Sequence, residues 1–459
     1  VVDQKTQVPP DELDNDWEDD ADVQMVEAEG GWMAVRTSAV EDQASAIQLI
    51  FMLAQSMSEL FYPFVKETVS RLGELLVSPF EDVRGYSMAV VPEIIRAVAK
   101  AGFSQEPCCA NANKAELLEI TGTAIQWLCD VVREEEELEL IMTGLQGLSR
   151  LIRSVNVDWQ NSAPATGEAA KVATPDEAES KLEPNTSRRL LTLAQMELVT
   201  DLCRQLLRES LQRRAVARAE SQVGVDPGAP VSEEDALEDA QLAELSKELH
   251  FNIAELVGEL FKAHGPDYFP IYRAHWHESV LTMGHVLSLK EDRLFAALIL
   301  AEALEFGVAC DDAPRTNPNP NPNPNPPPDE AGKAAVADFL LSSIGGDQQG
   351  VNVVSLLLSG VTERGQGTAK LRQACAYTIG VAAGRLPHAF LSAAGAGAAR
   401  ECLSSLSSCI HAGEGPGEPR GTCTDTAASS VGLLLEQLQR LTASGGADSV
   451  DLEGVPPLN

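Results

Sequence analysis

The sequence predicts an all-α protein, an α-solenoid of stacked antiparallel helix pairs interrupted by disordered insertions. Three observations predict it: apolar residues recur at three- and four-residue steps, almost nothing alternates with a period of two, and successive helix pairs repeat one grammar. The chain has 459 residues, 44% of them hydrophobic, which is too apolar for a disordered acidic polypeptide despite a formal net charge of −35.

Residues 11–29 carry ten Asp/Glu and no Lys or Arg, so residues 1–40 are read as an acidic linker and the start of the array. The chain opens without Met in this linker-like run, and we expect a fragment with sequence missing before Val1. Helical periodicity then begins at Glu41. SAIQLIFMLAQSMSELF is the second helix of an interrupted first pair, and pairs are placed at 62–101, 112–155, 187–264, 267–308, 333–385 and 388–442. Tyr62-Pro63 and Phe269-Pro270 each open a first helix, where the missing proline N–H costs nothing. Glu81-Asp82-Val83-Arg84 and Glu291-Asp292-Arg293 open second helices, with acidic residues at the positive end of the dipole.

Alignment of second helices on Arg84, Arg293 and Arg372 gives a register. Three residues on stand the small Ser87, Ala296 and Cys375; seven on, Val91, Leu300 and Ile379; eleven on, Ile95, Leu304 and Ala383. Small residues at fixed positions admit a neighbouring helix and the apolar ones form one stripe, the pattern of a helix-pair solenoid. The array divides into helix pairs over 41–155, 187–312 and 333–442. Between them lie an Ala/Pro/Thr/Glu-rich insertion at 156–186, an acidic loop at 221–235, an Asn-Pro insertion within 313–332 and a flexible tail at 443–459.

Chemistry is hard to find. Nine cysteines, with no C-x-x-C spacing, exclude a disulfide framework or zinc ribbon and suit a reducing compartment. His264, His275, His277 and His285 cluster in sequence, but His275 and His277 diverge on a helix, so packing is favoured over zinc. The glycine-rich runs at 394–399 and 413–421 follow no strand and are read as turns rather than phosphate loops. No nucleophile elbow, zinc-protease or kinase pattern is present, so neither catalysis nor a cofactor is expected. No stretch approaches the roughly 20 uninterrupted apolar residues of a membrane helix.

The charge excludes non-specific attraction to nucleic acid or anionic lipid and favours basic partners. The basic helix with Arg204, Arg208, Arg213, Arg214 and Arg218 has no aromatic for base stacking. It is read as a solvated face or as docking on the acidic run Glu233, Glu234, Asp235, Glu238 and Asp239. Successive second helices of a solenoid line its concave side, so carboxylates repeated there are expected to form an extended negative trough that suits long basic ligands. Candidates are Glu134, Glu135 and Glu136, beside Glu137 and Glu139 at a turn, and Glu302 and Glu305, three apart on one helix face.

The runs GWMAVRTSAVEDQASAIQLIFMLAQ, LFKAHGPDYFPIYRAHW, EDRLFAALILAEALEFG and LRQACAYTIGVAAG occur in this order over most of 14–410. Together they resemble the C-terminal half of karyopherin-β nuclear transport receptors of the importin-5 class. The resemblance implies HEAT repeats, nuclear import of basic cargo such as ribosomal proteins or histones, phenylalanine-glycine nucleoporins as partners, and shuttling between cytoplasm and nucleus. It implies cargo contact at Glu302 and Glu305, and a structural ladder role for Asp82, Arg84, Asp292, Arg293 and Arg372. Ran-GTP is expected to act through N-terminal repeats that this chain does not contain. Ala301-Glu302 stands where several family members carry an acidic pair, and the insertions at 156–186 and 317–328 also depart from the family. A generic HEAT scaffold without transport is the alternative.

Overall fold

Apolar spacing, proline starts and acidic first turns produce the helices in the expected order. A computed structural model describes residues 23–28, 31–155, 191–222, 233–308, 339–340, 352–365, 367–386, 395–412 and 421–443. The expected insertions at 156–186 and 313–332 and the tail beyond 443 lie outside these residues, as does most of the acidic loop 221–235.

Within the segment read as an acidic linker, residues 1–22 lie outside the described residues, and 23–28 and 31–36 are strands. Strands β1 (Val23–Ala28) and β2 (Gly31–Arg36) pair antiparallel, with Val23 opposite Arg36 and Ala28 opposite Gly31. The valines, methionines and tryptophan of VQMVEA and GWMAVR suit extended backbone, a signal that charge counting conceals. Helix α1 (Thr37–Met57) follows directly and ends at Ser58, whose φ of 55° breaks the helical path.

The chain separates into two compact units, Val1–Glu259 and Leu260–Asn459. In the first, the pairs are α2 (Tyr62–Leu75) with α3 (Glu81–Ala101), α4 (Lys114–Glu134) with α5 (Leu138–Val155), and α6 (Leu193–Gln222) with α7 (Glu233–His264), whose last turn crosses the division. Helix α3 packs along both α1 and α5, forming a row of second helices, while the first helices α4 and α6 pack together. This is solenoid connectivity, each pair touching its neighbours.

The second unit repeats it. Helices α8 (Phe269–His275) and α9 (His277–Met283) form one element broken at the fully buried Trp276. Helix α10 (Lys290–Glu302) continues into a π-helical turn, Ala303–Gly307. Helices α11 (Val353–Val361), α12 (Ala369–Arg385), α13 (Gly395–Ala412) and α14 (Thr422–Ala443) follow, and α12 packs along both α10 and α14. The glycine-rich run near 395 is thus the start of a helix rather than a turn, its alanines outweighing the cost of two glycines. Of the second run, 413–420 lie outside the described residues, and Gly421, at φ 91°, directly precedes α14.

The register read from the three arginines is the core register. Ser87, Ala296 and Cys375 are fully buried, and so are Ile95, Leu300, Leu304, Ile379 and Ala383, with Val91 at 3% exposure. Small residues set the helix spacing: a Cβ at Gly360 of α11 would stand 2.3 Å from Cys375 Sγ of α12. The stretch Thr37–Leu75 reaches a mean hydropathy of 1.2 over its most apolar 18 residues, a composition compatible with crossing a membrane. Here it is divided at Ser58–Phe61, and α1 packs along α3 with Ala44, Ile47 and Ala54 buried.

Candidate protein-binding surfaces

Two arginines of the aligned register tie successive helix pairs together. Arg84 donates from Nε to Glu135 Oε2 at 2.8 Å and from Nη2 to Glu135 Oε1 at 3.1 Å, while Nη1 donates to the Ser78 carbonyl at 2.9 Å. Glu135 Oε1 also accepts the backbone N–H groups of Glu136 and Glu137 at 3.2 and 3.3 Å. One carboxylate therefore joins α3 to the turn between α4 and α5 and fixes that turn. Arg293 makes the equivalent link, from α10 to Glu363 and to Ser359 Oγ at 3.2 Å, beyond and within α11.

In these two links the partners of Arg84 and Arg293 are Glu135 and Glu363. Asp82 sits exposed in the first turn of α3, Asp292 is buried beside Arg293, and Arg372 is buried at 3% exposure. The sequence hid the pairs because 51 and 70 residues separate the partners. The usable signal was a glutamate in the turn leading to the next second helix.

This geometry divides the first acidic candidate. Glu135, with its side chain 6% exposed, is closed on Arg84 rather than displayed, whereas Glu134, Glu136 and Glu137 are exposed. They rim a cleft of about 380 Å³ whose wall includes Leu76, Val77 and Val131. Carboxylates above an apolar wall suit an aliphatic side chain with a cationic end.

The second candidate lies in the other unit. Glu302, its side chain 27% exposed, meets Lys262 Nζ at 3.3 Å, and Glu305 accepts the Tyr377 hydroxyl at 2.6 Å. The π-helical turn places Gly307 where an added Cβ would fall 2.6 Å from the Phe261 ring. Such a turn re-aims the side chains around it. Burial, the hydrogen bond to Glu305 and the negative charges of Glu305 and Glu302 push the Tyr377 phenol up to about 12. Lys262, Glu302, Glu305 and Tyr377 therefore form a row from the end of α7 through the π-helical turn to α12. Glu305 thus contacts Tyr377 directly, while Glu302 acts on it only through its charge.

Two of the clustered histidines are packed in the fold. His264 is buried, and His277 lies against the rings of Phe339 and Tyr272, with centroids 4.8 and 6.1 Å away. Among the described residues, no three His, Cys, Asp or Glu side chains converge as metal ligands. On α6, Arg204 reaches Asp201 at 3.5 Å, and Arg208 and Arg213 are exposed. The side chains of Arg218 and of 233–239 lie outside the described residues. His250 of α7 shares a hydrogen bond of 3.1 Å with Ser210 of α6, and burial and Arg214 push its imidazole down to about 4.

Neither a protein-family model nor a curated protein sequence matches the chain. Its structure does have likenesses. Kap121p bound to RanGTP superposes with a TM-score of 0.61 at 15% identity, over 96% of this chain and 32% of that one. Kap121p bound to the SUMO protease Ulp1p gives 0.61 at 15% identity, over 95% and 32% of the two chains. Kap121p bound to Nup53p gives 0.60 at 14% identity, over 94% and 31%. The chain thus spans about a third of the length of these karyopherins. From the paired helices, the arginine links between pairs and these superpositions, the chain has the fold of a karyopherin-type HEAT-repeat solenoid.

Proposed function

We propose that this chain is a nuclear import receptor, or the corresponding part of one, that binds basic proteins through carboxylates on and beside its second helices. The observation that carries this reading is the pairing of the karyopherin-type fold with acidic groups at two helix-pair junctions. Glu134 and Glu136 stand exposed beside an apolar wall, while Glu302 meets Lys262 and Glu305 accepts the Tyr377 hydroxyl. Glu135 acts in this reading as a positioning residue that holds the turn carrying its neighbours. Many weak carboxylate contacts give an affinity that falls with salt. Ribosomal proteins and histones have the required charge. Phenylalanine-glycine nucleoporins and Ran-GTP are the further partners, and the protein would shuttle between cytoplasm and nucleus.

The test is binding of a fluorescent basic peptide to the wild type and to the variant Glu302→Gln/Glu305→Gln, together with capture of the full-length gene product on immobilised Ran-GTP and phenylalanine-glycine repeats. The reading expects weaker peptide binding by the variant at low salt. Capture on neither matrix would overturn transport. One observation favours the scaffold alternative: Glu302 and Glu305 already bond within the chain, to Lys262 and Tyr377. A scaffold would bind neither matrix and would show equal peptide affinity for both proteins.

A further inference from the structure

The last helix pair holds two sulfurs in contact. Cys409 lies three residues before the end of α13 and Cys423 is the second residue of α14. Their Sγ atoms are 3.3 Å apart, and their exposures are 0% and 1%. Cys129, Cys203, Cys375 and Cys402 are equally buried, and that burial pushes the Cys129, Cys375 and Cys402 thiols up to about 12, and Cys203 higher still; what marks Cys409 and Cys423 is the sulfur–sulfur contact between two helices. Cys108 and Cys109 are adjacent in sequence with sulfurs 3.8 Å apart, a pairing that backbone geometry disfavours in a disulfide.

We propose that Cys409 and Cys423 are a modification site, a dithiol that hydrogen peroxide converts to an intramolecular disulfide. One geometric feature carries it: the sulfurs need to close by little more than one ångström to bond. The Cys423 thiolate attacks one peroxide oxygen; an S–O bond forms, the O–O bond breaks, and hydroxide leaves and takes up a proton. The Cys409 thiol then attacks the sulfenic sulfur; the S–S bond forms, the S–O bond breaks, and water leaves with the thiol proton. Two thiols and one peroxide become one disulfide and two waters. The bond would tie α13 to α14 at the end of the array and constrain the unfolded chain across a short loop.

The test treats the whole chain with hydrogen peroxide, alkylates the remaining thiols under denaturing conditions, and maps tryptic peptides by mass spectrometry. The expected product joins residues 401–420 to 421–440 with the loss of two hydrogens, and fragment ions place the link at Cys409 while Cys402 is alkylated. A rise in the unfolding temperature that dithiothreitol reverses should accompany it and be absent from Cys423→Ser. Recovery of Cys409 and Cys423 as separate alkylated or over-oxidised residues would overturn the proposal, and this readout needs no variant that folds. A link from Cys423 to Cys402 would overturn it equally.

Discussion

Tyrosines report the local chemistry at the residue scale. Burial and a 2.6 Å hydrogen bond to Glu116 push the Tyr62 phenol up to about 12, as burial and Glu305 do for Tyr377, and burial raises Tyr272 further. A raised phenol pKa means the folded chain keeps a proton that the unfolded chain releases near 10. The stabilisation is complete below that pH and is lost as pH climbs from about 10 to about 12. In an alkaline titration followed by phenolate absorbance, Tyr377→Phe and Tyr62→Phe should each remove part of the step near pH 12; loss of amplitude near pH 10 instead would contradict these environments. The tyrosines themselves were plain in the sequence. Their carboxylate partners, 54 and 72 residues away, were not.

Close helix contacts decide the outcome at the scale of elements. A Cβ at Gly144 of α5 would lie 2.1 Å from Val132 Cγ2 of α4, so Gly144→Ala should cost about 1–3 kcal/mol by overpacking. Gly432, exposed within α14, has nothing within 4 Å of the same position, so Gly432→Ala should stabilise by about 0.5–1 kcal/mol through helix propensity. Urea unfolding of the two variants checks both signs. Periodicity predicted the helices because side-chain spacing is a local property. It did not separate these glycines, since each differs only in what a neighbouring element brings near it. The hairpin β1–β2 escaped for another reason: ten acidic residues in 11–29 dominate the reading of a segment whose apolar residues still pair.

Charge is organised, at the scale of the whole molecule, into bonded and displayed acids. Lys262 holds Glu302, and Arg84 holds Glu135, whereas Glu134 and Glu136 face solvent. If the row around Glu302 receives basic protein segments, Lys262 competes with the ligand for the same carboxylate. Lys262→Gln should then tighten binding of a basic peptide by roughly two- to fivefold at low salt, the size expected of one screened ion pair. A titration by fluorescence anisotropy checks this, and unchanged or weaker binding would count against Glu302 as a contact.

By itself the sequence determined the helical class, the pairing of helices, the core register from Arg84, Arg293 and Arg372, and an acid excess of 35 charges. These follow from composition and from periodicities of three to seven residues, which the backbone enforces locally. Only the tertiary structure decided which acids are bonded: that Glu135 and Glu363 complete the arginine links, that Lys262 and Tyr377 engage Glu302 and Glu305, and that Cys409 meets Cys423. Those partners come from neighbouring helices and neighbouring pairs, and their distance in sequence bears no fixed relation to their distance in space.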